Sequence, residues 1–140
     1  MADVSITASS VKPTNANTVI GRGIAGVAVN AGQAVWFDTT VSKLKPAIST
    51  SQAESLAVVG IALNTAATDQ PLAYASSGDV TLGSVLALGT VYVLGSTSGG
   101  ISTSGDLDSS SGTRYGTVVG VGTSATNLRV GIIASGALNP

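Results

Sequence analysis

The run Val58-Val59-Gly60-Ile61-Ala62 has a near copy in Val118-Val119-Gly120-Val121-Gly122, and the features around the two copies come in the same order. A Gly-led apolar run stands first in each: Gly32-Gln33-Ala34-Val35-Trp36-Phe37 and Gly89-Thr90-Val91-Tyr92-Val93-Leu94. A polar stretch with one apolar anchor follows (Leu44, Ile101), then the Val-Val-Gly run, then a closing run that ends in Ser77-Gly78 or Ser135-Gly136. The offset is 57 for the leading glycines (89 − 32) and for the anchors (101 − 44), 60 for the Val-Val-Gly runs (118 − 58) and 58 for the closing glycines (136 − 78). Small loop insertions account for the drift. Two copies are too few for a solenoid, which needs about three repeats to bury a continuous core. The repeat therefore predicts one compact β domain of two related halves, about 26–78 and 83–136.

The local patterns agree with that class. Val4-Ser5-Ile6-Thr7 alternates as a half-buried strand does, and Pro13 with its neighbouring Asn residues then breaks the pattern. Residues 1–22 lie outside the repeat and are expected to be an extended N-terminal arm, ordered on a partner, with residues 23–136 as the β domain and 137–140 as a tail. Ile24 to Val29 reads as a strand, with Gln33 to Phe37 as its hairpin mate across Asn30-Ala31-Gly32. Trp36 and Phe37 are adjacent, so on a strand one faces the core and the other is left for an interface. Lys43 to Pro46 reads as a short exposed strand. Ser49 to Ser55 is the one helical turn expected, capped by Ser49 or Thr50. Gly78-Asp79 reads as a turn, and residues 95–112 as a long polar loop. Short strands with frequent turn signals indicate an all-β fold, a single compact β-sandwich or barrel-like domain.

Composition narrows the chemistry. The chain of 140 residues has 9% charged residues and a formal net charge of −1. Its six basic residues are scattered, so nothing draws it to nucleic acid or to an anionic membrane. Cys and His are both absent from the sequence, which removes disulfides, the usual zinc ligands, the thiol nucleophile and the common general base. Asp106 and Asp108 share a Ser/Gly-rich stretch with no third acidic ligand, and read as solvated loop acids rather than as a catalytic or calcium pair. Neither a phosphate-binding loop nor a serine elbow is present. The expectation is a protein that is not an enzyme and carries no cofactor or metal. No signal peptide or apolar membrane run is visible, so the chain is expected to be soluble and made in the cytoplasm. A Ser, Thr, Gly and Ala surface with so few charges is wet but not repulsive, and suits a protein packed against neighbours.

Several segments together carry a resemblance: Ala31-Gly32-Gln33-Ala34-Val35-Trp36-Phe37-Asp38, Lys43-Leu44-Lys45-Pro46-Ala47, Val58 to Asn64 and Gln70-Pro71-Leu72-Ala73. The second half continues it in Gly89 to Leu94, Gly99-Gly100-Ile101, Val118 to Gly122 and Thr126 to Ile132. In this order they resemble the small capsid decoration (cement) proteins of tailed bacteriophages. The resemblance covers roughly residues 24–136 and implies a non-enzymatic β protein on the outer surface of the mature icosahedral head. It implies partnership with the major capsid protein, bridging of capsomers and self-association, often as a homotrimer. Trp36, Phe37, Val4, Ile6, Lys12 and Arg22 are the expected interface residues. The alternative is another virion β module, such as a fibre, a spike or a host-surface binder, using the 95–112 stretch for recognition.

Overall fold

The computed structural model describes residues 3–14, 16–109 and 113–139. Along them run strands β1 (Lys12–Pro13), β2 (Val19–Ile24), β3 (Ala34–Asp38), β4 (Lys43–Pro46), β5 (Val58–Ala62), β6 (Pro71–Thr81), β7 (Val91–Leu94), β8 (Ile101–Thr103), β9 (Arg114–Gly122) and β10 (Asn127–Asn139). Two short helices, α1 (Gln52–Leu56) and α2 (Ser104–Ser109), precede β5 and β9. The fold is all-β, with a curled antiparallel sheet that forms a half-barrel.

The hydrogen-bonding order β4-β3-β5-β6-β10-β9-β7-β8 is symmetric about its centre, so the two halves of the sequence build the same four-strand unit. Register confirms the equivalence residue by residue for three of the four strands, whereas on the fourth Ile61↔Ala75 answers to Val121↔Arg129, an offset of 54 (129 − 75) instead of 58. β3 pairs with β5 as Ala34↔Ile61, Val35↔Gly60 and Trp36↔Val58. β7 pairs with β9 as Val91↔Val121, Tyr92↔Gly120 and Val93↔Val118. Each ladder skips the middle valine, Val59 or Val119, which is the extra residue of a bulge. The neighbouring pairs match as well, since Phe37↔Leu44 and Leu94↔Ile101 differ by 57 on both strands.

β6 joins the units. Its Tyr74 and Ala75 pair with both β5 and β2, while its Val80 and Thr81 pair with both β10 and β1. One edge of β6 therefore carries β5 and then β10, and the other carries β2 and then β1. The two sheets that leave the first edge enclose the larger core, which includes Ala34, Val58 and Ile61 from the first unit and Tyr92, Leu94, Val119 and Leu128 from the second. A smaller core lies inside the first unit, around Val35, Leu44, Ala62 and Leu72.

Several expectations are corrected. Among the described residues of the first 22, the chain runs across the domain itself, with one 3-10 turn at Ala8–Ser10. β1 and β2 complete an edge of β6 that would otherwise be open, Val11 is buried in the larger core, and a boundary at 22/23 falls inside β2. Residues 24–29 are not the hairpin mate of β3. Ile24 ends β2, and Ala25 instead makes an isolated parallel bridge to Leu44 of β4. Gly78-Asp79 is not a turn. Gly78 takes φ +93 where a Cβ would overlap the backbone of Asn17 and Thr18, and β6 runs on through it to pair with β10. The helix cap is Ser51, whose hydroxyl accepts the Glu54 amide. The 95–112 stretch contains β8 and α2; residues 110–112 and the side chain of Asp108 lie outside the described residues. The expected tail belongs to β10, which continues to Asn139 along β9.

Candidate interaction surface

β2 reads Val19-Ile20-Gly21-Arg22-Gly23-Ile24, and its glycines decide how it lies. A side chain at Gly21 would meet the Tyr74 ring, and one at Gly23 would meet Leu44. The strand can therefore lie directly on those two side chains. Ile20, Arg22 and Ile24 alternate onto the outward face, with Ile20 at 41% and Ile24 at 39% exposure, and Val19 before them at 55%. Two isoleucines flanking an arginine on a strand with firm backing form a stiff, mostly apolar patch, the kind of surface a partner covers.

A second apolar group surrounds α1. Leu56 is 51% exposed and lies against the backbone at Gly136, while the Gln52 side-chain amide donates to the Gly136 carbonyl at 3.0 Å. Phe37 donates its amide to the Ala57 carbonyl at 3.2 Å. Phe37 and Gly136 of β10 thus lie on either side of the end of α1, and Leu138, two residues further along β10, is exposed as well.

The six expected interface residues do not converge. Phe37 is exposed, as expected for one member of its pair. Trp36 is the inward member: it packs against the larger core, and its indole N–H is buried with no partner among the described residues. Val4 and Ile6 also pack on that core, so their alternation marks a face covered by the domain itself. Lys12 on β1 and Arg22 on β2 are exposed along the same edge of β6, and neither makes an ion pair among the described residues. Ile20, Ile24, Leu56 and Leu138 were not singled out by the sequence. The palindrome Ile20-Gly21-Arg22-Gly23-Ile24 is the signal that could have found the first two, since small residues alternating with large ones mark a strand lying flat on its neighbours.

The remaining charges are largely committed within the fold. Lys43 pairs with Asp69, Lys45 reaches Asp38 at 2.8 Å, and Arg129 reaches Asp79 at 3.1 Å. The Asp79 hydrogen bond and charge hold the Arg129 guanidinium above its ordinary pKa. The Lys45 hydrogen bond, followed by that from the Thr40 hydroxyl, lowers Asp38 from 3.8 to about 2. A carboxylate depressed on folding contributes stability above its unfolded pKa and loses it as pH falls through the folded value. Asp38→Asn should therefore be less stable than the parent above about pH 4, and the gap should narrow as pH falls towards 2. Thermal melts of both chains across that window check this, and a gap that does not change with pH would refute it.

Among the described residues, no group of three or more acidic side chains could hold a metal ion, and no helix is long and apolar enough to cross a membrane. No protein-family model matches the chain, and no curated protein matches it.

Proposed function

We propose that this chain is a bacteriophage capsid decoration protein. In this reading it binds the outer surface of the mature icosahedral head, associates with itself as a trimer, and bridges capsomers through contacts with the major capsid protein. The observation that carries the reading is the outward face of β2, where exposed Ile20 and Ile24 flank Arg22 on a strand whose glycines lie on Tyr74 and Leu44, in a chain with only 9% charged residues. Such a face is already ordered, so covering it costs little conformational entropy. The sparse charge leaves little to repel a neighbouring copy or a capsomer. The order of motifs over residues 24–136 supports the same family, and many modest contacts repeated over a shell add to a strong clamp.

The reading is tested by binding to purified heads that lack their decoration layer. The double variant Ile20→Glu/Ile24→Glu places two charges on the patch while leaving the core side of β2 intact. Its affinity for heads should fall about tenfold or more, since tenfold is about 1.4 kcal/mol and burying one isoleucine is worth at least that much. Parent-like binding by a variant with an unchanged melting temperature would remove β2 from the interface. A parent chain that ignores heads but binds host-surface glycans would replace the reading with that of a fibre or spike module. Deleting residues 2–20 is a poor test of capsid contact, because it removes Val11 from the core and β1 from the sheet.

A further inference from the structure

The two units differ in how their outermost strands are sealed. In the first, the chain continues from β2 and the Gly26 amide donates to the Leu44 carbonyl of β4 at 2.8 Å. In the second, the equivalent carbonyl is that of Ile101 on β8, and its donor is the Val4 amide at 2.7 Å, from the opposite end of the chain. Residues 3–6 therefore act as a strap over an edge that the second unit does not close for itself.

The seat of this strap is specific. The Asp3 carboxylate accepts the Ser102 hydroxyl at 2.8 Å and the Thr97 amide at 3.1 Å. It lies over Gly95 and Gly100, where a Cβ at either position would overlap it. Val4 and Ile6 pack on the larger core, and Ile6 also reaches Gly32 of the first unit. The strap lines an open cavity of about 250 Å³ together with residues 30–33 and 97–101. The contacts are those of a β-edge peptide site: a main-chain hydrogen bond for affinity, a carboxylate hole and apolar pockets for selectivity.

We infer that this seat is a peptide-binding site for an extended segment headed by a carboxylate, and that its ligand in trans is residues 3–6 of a second copy. The exchanged and unexchanged states make the same contacts, which makes strand exchange a low-cost route to association. In the parent chain the tethered strap competes at an effective concentration of order millimolar, so the intramolecular state dominates in dilute solution. Crowding of copies, or weakening of the resident strap, tips the balance towards exchange. The inference does not depend on the capsid reading.

Two full-length variants separate strap from seat. Asp3→Ala weakens the strap and leaves the seat open, whereas Gly100→Ala fills the carboxylate hole and leaves the strap intact. A fluorescent label on a cysteine introduced at exposed Ala67 of the Gly100→Ala chain reports association by anisotropy. Titration with Asp3→Ala chains should give saturable binding at least tenfold tighter than titration with Gly100→Ala chains, which offer no open seat. Self-association by other surfaces would appear equally in both titrations. Equal curves, with both variants folded by circular dichroism, would overturn the inference. As a second probe, a labelled peptide of residues 2–11 should bind full-length Asp3→Ala at least tenfold better than Asp3→Ala/Gly100→Ala; no saturable binding to the former would overturn it as well.

Discussion

Replacing Asp79 with Ala is expected to lower the unfolding free energy by about 3 kcal/mol, as breaking a buried ionic network does. Asp79 is only 3% exposed and stands near the end of β6, in the part paired with β10. Its Oδ1 accepts the Asn127 side-chain amide at 3.0 Å and Arg129 Nε at 3.1 Å, and its Oδ2 accepts the Asn17 side-chain amide at 3.0 Å. Its main chain is used too: the carbonyl accepts the Thr14 amide at 3.0 Å and the Thr18 hydroxyl at 2.7 Å. One residue thus ties the N-terminal segment, β6 and β10 together. Alanine keeps the main-chain bonds but leaves three side chains, those of Asn17, Asn127 and Arg129, without this acceptor. Arg129 is exposed and Asn17 can be rehydrated, which places the loss towards the lower end of the range for a fully buried pair. Arg129→Ala should therefore cost less than Asp79→Ala, because the carboxylate retains both asparagines. Urea unfolding of the two variants checks the order, and equal losses would mean that the ion pair, not the hydrogen-bonded hub, holds the seam.

That hub was invisible in the sequence, where Gly78-Asp79 has the composition of a turn. The difference is long-range: the backbone of Asn17 and Thr18 fills the space a Cβ at Gly78 would take, and the strand runs on through a positive φ instead of turning. The order of the repeated features was legible, because buried strands need Val-rich runs and turns need glycine. The shared bulge at Val59 and Val119 was not, because a bulge is a property of pairing. The helix shows a signal that was present and missed. Ser49, Thr50 and Ser51 can all cap, but only Ser51 has Glu54 at the third helical position, the spacing of a capping box. For the interaction surface, strand parity separated Trp36 from Phe37, yet parity alone does not say which face is inside. Alternation likewise marked Val4 and Ile6 as residues to be covered. What covers them is the domain's own second unit, which closes its β8 edge with the start of the chain.

If the two units are equivalent in their packing as well as their topology, Gly60→Ala and Gly120→Ala should each destabilise the protein by about 3 kcal/mol or more, at the upper end for overpacking a filled interior. A Cβ at Gly60 would overlap the Ala75 carbonyl oxygen of β6, and its carbonyl carbon lies 2.8 Å away. At Gly120 the obstacle is the Arg129 carbonyl oxygen of β10, with the Leu128 side chain at 3.0 Å. Both obstacles are backbone atoms of a paired strand. They cannot turn aside as a flexible side chain could, so the strands must separate or slip. Neither glycine has a positive φ, so the cost is one of space and not of backbone conformation. Gly131→Ala is the matched control: it lies in β10 with nothing within 4 Å of its Cβ position, and its substitution should change stability by less than about 0.5 kcal/mol. Parallel denaturant titrations of the three variants decide the matter. A large loss at Gly60 with none at Gly120 would show that the second copy keeps the letters of the repeat without its packing, and that only the first unit depends on close contact at this glycine.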